Sequence, residues 1–565
     1  MQNFAASMND IMADINGVLW HDSVLYIILG TGTFFLLWSL FQRITHFSPF
    51  VAITHGLAVV RGKYDKKNDP GAISHFEALS AALSATVGLG NIGGVAVAIA
   101  LGGPGAVFWM WIVGFVGMAL KMTEVTQSMM YRDTSDPDNP HGGPMWVASK
   151  GLAEMSPKLA WLGKWIGGIF CVTLLISTVT GGNMFQAWSV GDVTLKNFGV
   201  PNIVTGAVLA VICGMVIIGG IKRIGQVAGT LVPFMCGLYL VAGLVVIGMN
   251  IEIIPEMFAL IFKSAFSPTE AKGAFVGAAA GTAFMWGMKR ALFSNEAGQG
   301  SAPIAHSAAR TEEPAREGIV AGLEPFIDTI IVCTITALVL LSTGAWNRDA
   351  TALLPDSPQF TETSQGVWGA SETELPELTE DGIESWQDGQ SVFMIASLTD
   401  GPSKIFGEIH QKDGSLVVFW KDVQSSAAPT FTDNGVYIEY ASASLTSFAF
   451  DLSINGLGKW LVTIAAWLFA ISTMISWSYY GEQGVVYLFG EKAVFSYKII
   501  YCILIVVSTS GLITTTTELD NLTGIGTGVM LFANIPIMFI FARKSMGAYK
   551  EYLVKLRNGE FKRTS

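Results

Sequence analysis

The chain predicts an all-α membrane protein of eleven spans, and three observations carry that class. Hydrophobic residues make up 51 % of the 565 positions and charged ones only 14 %, a balance foreign to soluble domains. Eleven apolar stretches, centred near residues 32, 90, 113, 175, 211, 238, 284, 331, 468, 504 and 532, approach the roughly 20 residues a bilayer core asks of a helix. Two of these stretches, five spans apart, are interrupted by glycine and asparagine.

The first span, Val24 to Phe41, follows 22 mostly polar residues without a basic leader or a small-residue cleavage site. It is expected to remain as a helix rather than be removed as a signal peptide. The second contains TVGLGNIGG (86 to 94). Gly88, Gly90 and Gly93 match the GxGxxG of a dinucleotide turn, but no strand precedes them and no acid for a ribose lies about 20 residues on, so that reading fails. Glycine alone would suit close helix packing. Asn91 argues for more, because a polar amide at membrane depth needs partners, and an unwound backbone is tolerated only against protein or a cavity. The seventh span carries a matching interruption in MKRALFSNEAGQGSAP (288 to 303), around Asn295, Gly298, Gly300 and Ser301.

Two breaks separated by five spans fit two inverted repeats of five helices, the architecture in which discontinuous first helices hold substrate and coupling ions. The first span is then an extra helix ahead of a five-plus-five core. Polar residues within other spans narrow the site. GGNMFQAW places Asn183 and Gln186 in the third core helix, and AISTMISWSYYGE places Ser472, Thr473 and Trp477 in the eighth. Adjacent hydroxyls can complete the oxygen shell of a small hard cation with carbonyls from a broken helix; an isolated hydroxyl would instead bond back to its own helix. Bulky Met184, Phe293 and Trp477 point to a small substrate. Glu124, Glu296, Glu324, Asp328 and Glu482 lie at or near span ends and read as gates or ion pairs with Lys121, Lys289, Arg290 or Arg316; Asp328 comes closest to mid-span.

Charge gives orientation. With the N-terminus outside, 25 of the 33 basic residues fall in segments expected inside, including Arg43 to Lys67 and the tail from Arg543. The short outer loops hold Lys196, Lys263 and Lys272. The soluble-looking stretch 346–450 carries 16 acidic and 4 basic residues, which argues against a nucleic-acid partner. Its second half reads as strands: IFGEIHQ and SLVVFW flank Lys412, Asp413 and Gly414 as a hairpin, and GVYIEY alternates. Its first half, rich in Glu, Thr, Ser and Pro, reads as loose. The division is thus 1–345 with the N-terminal helix and seven core helices, 346–450 as an acidic β-rich extracytoplasmic insert, and 451–565 with three core helices and a basic tail. The insert is expected to be an accessory decoration rather than a lid or docking surface.

All five cysteines lie within apolar spans, which excludes a disulfide framework or zinc set. The histidines, with His21, His46 and His306 at span ends, lack zinc spacing. No nucleophile, base or metal cluster supports an enzyme, and no cofactor is expected.

SATVGLGNIGGVAVAIALGGPGAVFWMW (84 to 111), GIKRIG (220 to 225), LVPFM (231 to 235), RALFSNEAGQGSAPIAHSAA (290 to 309) and STMISWSYYGE (472 to 482) resemble the alanine or glycine:cation symporter family across nearly all of the membrane portion. The resemblance implies a LeuT-type fold and sodium-coupled uptake of a small neutral amino acid through an inner membrane. It implies substrate contacts at Gly90, Asn91, Gln186, Phe293, Ser294, Asn295, Thr473 and Trp477. It implies a sodium site at the carbonyls of Ser84, Val87 and Phe469 and the hydroxyls of Ser472 and Thr473. The family commonly reads NMVQANS where this chain has NMFQAWS, which puts Phe185 and Trp188 near the pocket, and the insert exceeds the family's usual short loop. Proton coupling is the rival within transport. A transporter-like amino-acid sensor signalling through the insert is the rival from another class.

Overall fold

A computed structural model describes residues 2–41, 48–66, 68–269, 273–277, 281–377, 385–399, 401–440, 442–512 and 517–561. Arg43, His46, Lys67 and Lys272, used in the charge and span-end arguments, lie outside the described residues. Helices α1 (Gln2–Leu19) and α2 (Asp22–Phe41) meet at Trp20 and His21. Thus the polar N-terminal stretch is itself helical, and Asn16 and Trp20 tie it to the carbonyls of Asn521 and Gly524.

The first expected break begins with a well-defined helix, α3 (His75–Thr86), started by a reciprocal capping box between Ser74 and Glu77. The helix stops at Val87, turns through Gly90–Gly94, and continues as α4 (Val95–Gly102) after a bend of 55°. Next come α5 (Gly105–Tyr131), α6 (Ala160–Val179) and α7 (Phe185–Phe198), the last two joined by a widened turn at Thr180–Met184. Then follow α8 (Gly220–Met249) and α9 (Thr282–Asn295). The second break follows α9: Glu296 takes φ 54°, with Gly298 at 83° and Gly300 at 85°. The glycines fit this left-handed backbone freely, whereas Glu296 is held there at some cost. The helical span α10 (Pro314–Ser342) contains a wide turn at Phe326–Val332. After the insert, α11 (Leu457–Phe489) and α12 (Thr517–Ile540) complete the long helices.

Among the described residues seven helices are long and apolar enough to cross a bilayer, eight with the bent pair counted together. Asn202–Ile217, Thr282–Asn295 and Val494–Ser508 have 16, 14 and 15 residues, short of a full crossing by length alone. Each of the eleven centres read from the sequence falls in a helix, residue 90 in the widened turn of the bent pair.

The insert is more ordered than its composition suggests. Ser391–Leu398, Gly401–Lys412 and Ser415–Trp420 form the middle of an antiparallel sheet, and Lys412 pairs with Ser415 across Asp413 and Gly414. Both loop residues have positive φ, the geometry of a two-residue hairpin turn. The first half, expected to be loose, forms a small sheet of Phe360–Ser364, Val367–Ala370 and Val423–Gln424; residues 378–384 lie outside the described set. Gly435–Ile438 is buried throughout rather than on alternate residues. Val436 and Ile438 enter one apolar cluster, while Tyr437 enters another with Phe393, Ile395 and Ala274, which seats the sheet on the membrane portion. Lys404 stands 4.2 Å over the Phe393 ring, and burial there lowers its pKa.

Candidate functional site

The two breaks are sewn to each other by side chains. The Asn91 side-chain oxygen, Oδ1, accepts from the Gly88 N–H at 2.8 Å, which holds the unwound turn in shape. Its amide nitrogen donates to Asp328 Oδ1 at 2.6 Å and to the Ser294 hydroxyl at 3.0 Å. Ser294 in turn donates to Asp328 Oδ2 at 2.7 Å, and so does Thr329 at 2.9 Å. Asn295 caps the second break by accepting from the Ala297 N–H and donating to Thr329. Asn91, Ser294, Asn295, Asp328 and Thr329 are each at most 1 % exposed. Asp328 is therefore the knot between the breaks, its two carboxyl oxygens accepting from Asn91, Ser294 and Thr329.

A cavity of about 470 Å³ opens beside the knot. Its wall includes Gly88, Leu89 and Gly90 from the first break, Phe293 from the end of α9 and Glu296 from the second break, Gly181 from the turn after α6, Phe185 and Gln186 from the start of α7, and Thr473 and Trp477 from α11. Of the eight expected substrate residues, the structure brings Gly90, Gln186, Phe293, Thr473 and Trp477 to this wall. It places Asn91, Ser294 and Asn295 behind the wall, where their polar atoms bond within the protein. Gln186 donates to the Gly181 carbonyl at 3.1 Å and leaves its own side-chain oxygen buried without a partner. Phe293 stacks on Trp20 at 4.6 Å, so the N-terminal segment reaches the cavity rim. Asn183 faces away, bonded to the Tyr501 carbonyl.

Sequence reasoning missed Arg290 as a cavity residue, having read it as a span-end ion-pair partner. Its guanidinium lies in the groove left by two glycines: a Cβ on Gly94 would stand 1.9 Å from Arg290 Cζ, and one on Gly90 2.2 Å from a terminal nitrogen. Its Nε is buried without a partner. The signal was present in the spacing, since Gly90 and Gly94 lie one helical turn apart and clear one strip of surface. Lys289, Asp520 and Gln299 also line the cavity.

Four of the five expected sodium ligands converge beside Thr473. The Ser472 hydroxyl donates to the Ser84 carbonyl at 3.3 Å and to the Phe469 carbonyl at 2.9 Å, and the Thr473 hydroxyl to the Ser84 carbonyl at 3.2 Å. Ser84 returns a hydroxyl bond to the Ser472 carbonyl at 2.7 Å. Val87, the fifth, turns out of the helix at ψ 102° one step before Gly88, and a Cβ on Gly88 would be 3.4 Å from the Thr473 hydroxyl. Neutral oxygens of this kind are the ligands a hard monovalent cation selects. Thr473 belongs both to this oxygen cluster and to the cavity wall.

Of the other acids read as gates or ion pairs, Glu296 accepts from the Ser301 hydroxyl and the rest have a basic or amide partner. Glu482 meets Lys498 at 2.8 Å, Glu324 meets Lys121 at 3.3 Å, and Glu124 accepts from Asn534 at 3.1 Å. The tail folds back as Ala542–Arg557, with Lys544 on Glu154 and Lys555 on Glu313.

Comparison with known proteins agrees with this arrangement. The model of the sodium:alanine symporter family matches residues 5–369 and 423–565 and passes over 370–422 in the insert. The chain is 36 % identical over 490 residues to the sodium/alanine symporter AgcS of Methanococcus maripaludis, covering 87 % of this chain and 86 % of that one. It is 30 % identical over 553 residues to the putative sodium/proton-dependent alanine carrier protein YrbD of Bacillus subtilis, covering 98 % and 94 %. It is 32 % identical over 363 residues to the probable sodium/glutamine symporter GlnT of the same bacterium, covering 64 % and 72 %. With two broken helices around one cavity and a family match running through both, the chain belongs to the sodium:alanine symporter family and is a membrane transport protein, not an enzyme.

Proposed function

We propose that the protein carries alanine, and glycine as the smaller homologue, into the cell together with sodium by alternating access. The observation that carries this reading is Thr473, whose side chain stands in the oxygen cluster and on the cavity wall at once. An ion bound there would fix the hydroxyl and the Gly88 turn that the amino acid meets, so each ligand would favour the other. In this reading the substrate carboxylate lies against the Gly88–Gly90 turn and the Arg290 guanidinium, and the free oxygen of Gln186 takes its ammonium group. Phe185, Phe293 and Trp477 restrict the side chain. Asn91, Ser294 and Asn295 act through the shape of the breaks.

The wider frame is a LeuT-type core of two inverted five-helix repeats behind one extra helix, eleven crossings in all. The N-terminus and insert lie outside and the tail lies in the cytoplasm. Support for it comes from the five-span separation of the breaks and from the distribution of Lys and Arg. The names of the relatives support alanine and a cation. The insert is accessory, since the family match passes over 370–422.

The test is uptake of labelled alanine by proteoliposomes under an inward sodium gradient, expected to exceed by at least tenfold the uptake with potassium in its place. Equal uptake in the two salts refutes sodium coupling. Binding of alanine without flux in either salt would favour a sensor.

A further inference from the structure

The N-terminal helix α1 is fitted to α12 by two glycines. Gly524 and Gly528 lie one turn apart and clear one strip of the α12 surface. A Cβ on Gly524 would stand 2.5 Å from Asn16 Oδ1, and one on Gly528 would stand 3.0 Å from the Leu19 Cβ and 3.4 Å from Trp20 Nε1. Asn16 donates its side-chain amide to the Asn521 carbonyl at 2.9 Å, and the Asn521 amide donates to Asn9 Oδ1 at 2.6 Å. Contacts spread from Asn9 to Leu19, about three helical turns, leave α1 one register on α12 and deliver Trp20 to one place.

That place is the seam between α12 and α9. The Trp20 indole N–H donates to the Gly524 carbonyl at 2.9 Å, and its ring lies on Phe293 of α9 with centroids 4.6 Å apart and planes at 29°. Gly524 and Phe293 both belong to the cavity wall, and Trp20 stands behind it. An indole suits such a bridge because it offers a donor at one edge and an apolar face to stack, so one side chain ties a carbonyl on α12 to a ring on α9. The bulky wall residues differ in how they are held. Trp477 is 5 % exposed and seated on α6's following turn, where a Cβ on Gly182 would stand 2.5 Å from its own, and against Tyr480 at 5.4 Å. Phe293 is 42 % exposed, which leaves the stack on Trp20 to fix its ring.

We propose that Trp20 is a positioning residue for substrate size: by pinning the Phe293 ring across the seam between α9 and α12, it keeps the cavity fitted to the smallest amino-acid side chains. Selectivity then depends on a residue of the N-terminal segment that does not itself touch the cargo. The proposal rests on the transport reading above for the identity of that cargo, and not for the pinning. Two measurements on the full chain in lipid test it. The first is sodium-driven uptake of labelled alanine and labelled leucine by proteoliposomes. Trp20→Ala frees the ring and raises the leucine-to-alanine uptake ratio about tenfold or more, the scale of discrimination that a packed apolar pocket exerts on added methylenes. The change lies in KM, higher for alanine and lower for leucine, while kcat for alanine stays near that of the parent. Trp20→Phe keeps a ring to stack on Phe293 and restores most of the parent ratio. The second measurement needs no substrate: Thr523→Cys, on the cavity wall beside Gly524, reacts with a bulky maleimide several-fold faster when Trp20→Ala is added. If Trp20→Ala does not fold, Trp20→Leu, which keeps apolar volume without a ring face, takes its part in both. An unchanged leucine-to-alanine ratio in a folded variant overturns the proposal, and so do equal labelling rates. A parent protein that takes up no alanine refutes the alanine reading alone and leaves the labelling rates to decide the pinning.

Discussion

Thr473→Val tests the link between ion and substrate most directly. Valine keeps the β-branched shape and volume while removing one oxygen, so packing beside Ser84 and Gly88 is preserved. Without the ion, the loss is one hydrogen bond of 3.2 Å to the Ser84 carbonyl, about 1 kcal/mol between neutral groups. With the ion bound, the same hydroxyl is a ligand to a charge, worth about 1.5–3 kcal/mol. The difference, about 0.5–2 kcal/mol, at about 1.4 kcal/mol per tenfold should raise the sodium concentration for half-maximal uptake about 2- to 30-fold. Reciprocity then requires the apparent alanine affinity to fall at fixed, subsaturating sodium and to recover as sodium saturates. Thr473→Ser, which restores the oxygen, should stay within about threefold of the parent, an estimate from keeping the charged contact. The assay is initial uptake of labelled alanine across a sodium series in proteoliposomes, with thermal unfolding as a check on folding. A Thr473→Val protein whose sodium dependence matches the parent's would refute the placement of the ion.

Other consequences follow from the knot, the groove and the insert. Asn91→Ala removes the partner of the Gly88 N–H and of Asp328, two buried groups at about 1–3 kcal/mol each. Uptake should drop at least tenfold with a lower unfolding midpoint in the purified protein, and parent-like values in both would dismiss the knot. Arg290→Lys keeps the charge but loses the planar fork, so the alanine concentration for half-maximal uptake should rise several-fold with little change in sodium dependence; an unchanged alanine dependence counts against the carboxylate position. Replacing residues 352–436 by a short glycine-serine linker should leave sodium-driven uptake within about threefold, because Ala352 and Val436 pair side by side and surface insertions are tolerated. Loss of all flux with intact folding would make the insert a working part. Extending the deletion to residue 446 should abolish uptake, because Ser442 lines the cavity and Thr446 donates to the Ile92 carbonyl.

The breaks were legible because glycine and asparagine at membrane depth have few physical uses, and the oxygen cluster was legible because Ser472 and Thr473 are adjacent hydroxyls. What the sequence could not convey was which way each polar group turns. Asn91 and Asn295 read as substrate contacts from position, yet a side chain within a break can satisfy the freed backbone or face the cavity, and only the packing of α10 against both breaks decides it. Asp328 illustrates the same limit: it read as a gate or ion-pair residue lying closest to mid-span, whereas its carboxyl accepts from three neutral side chains, Asn91, Ser294 and Thr329. Arg290 looked like one more basic residue near a span end until the two glycine surfaces opposite it became visible. The insert's first half misled because acidic, threonine-rich composition describes solvent-facing strands as well as loops.

The groove that receives Arg290 has an evolutionary corollary. Residues 90 and 94 are small because residue 290 is long, so these three positions cannot drift one at a time. A lineage that acquired a side chain at 94 would have to shorten or redirect residue 290 in the same step. Such a replacement would remove a positive charge from the wall against which we place the carboxylate. Divergence in transported cargo within this family should therefore surface as paired changes at 94 and 290, detectable by comparing sequences long before any flux is measured.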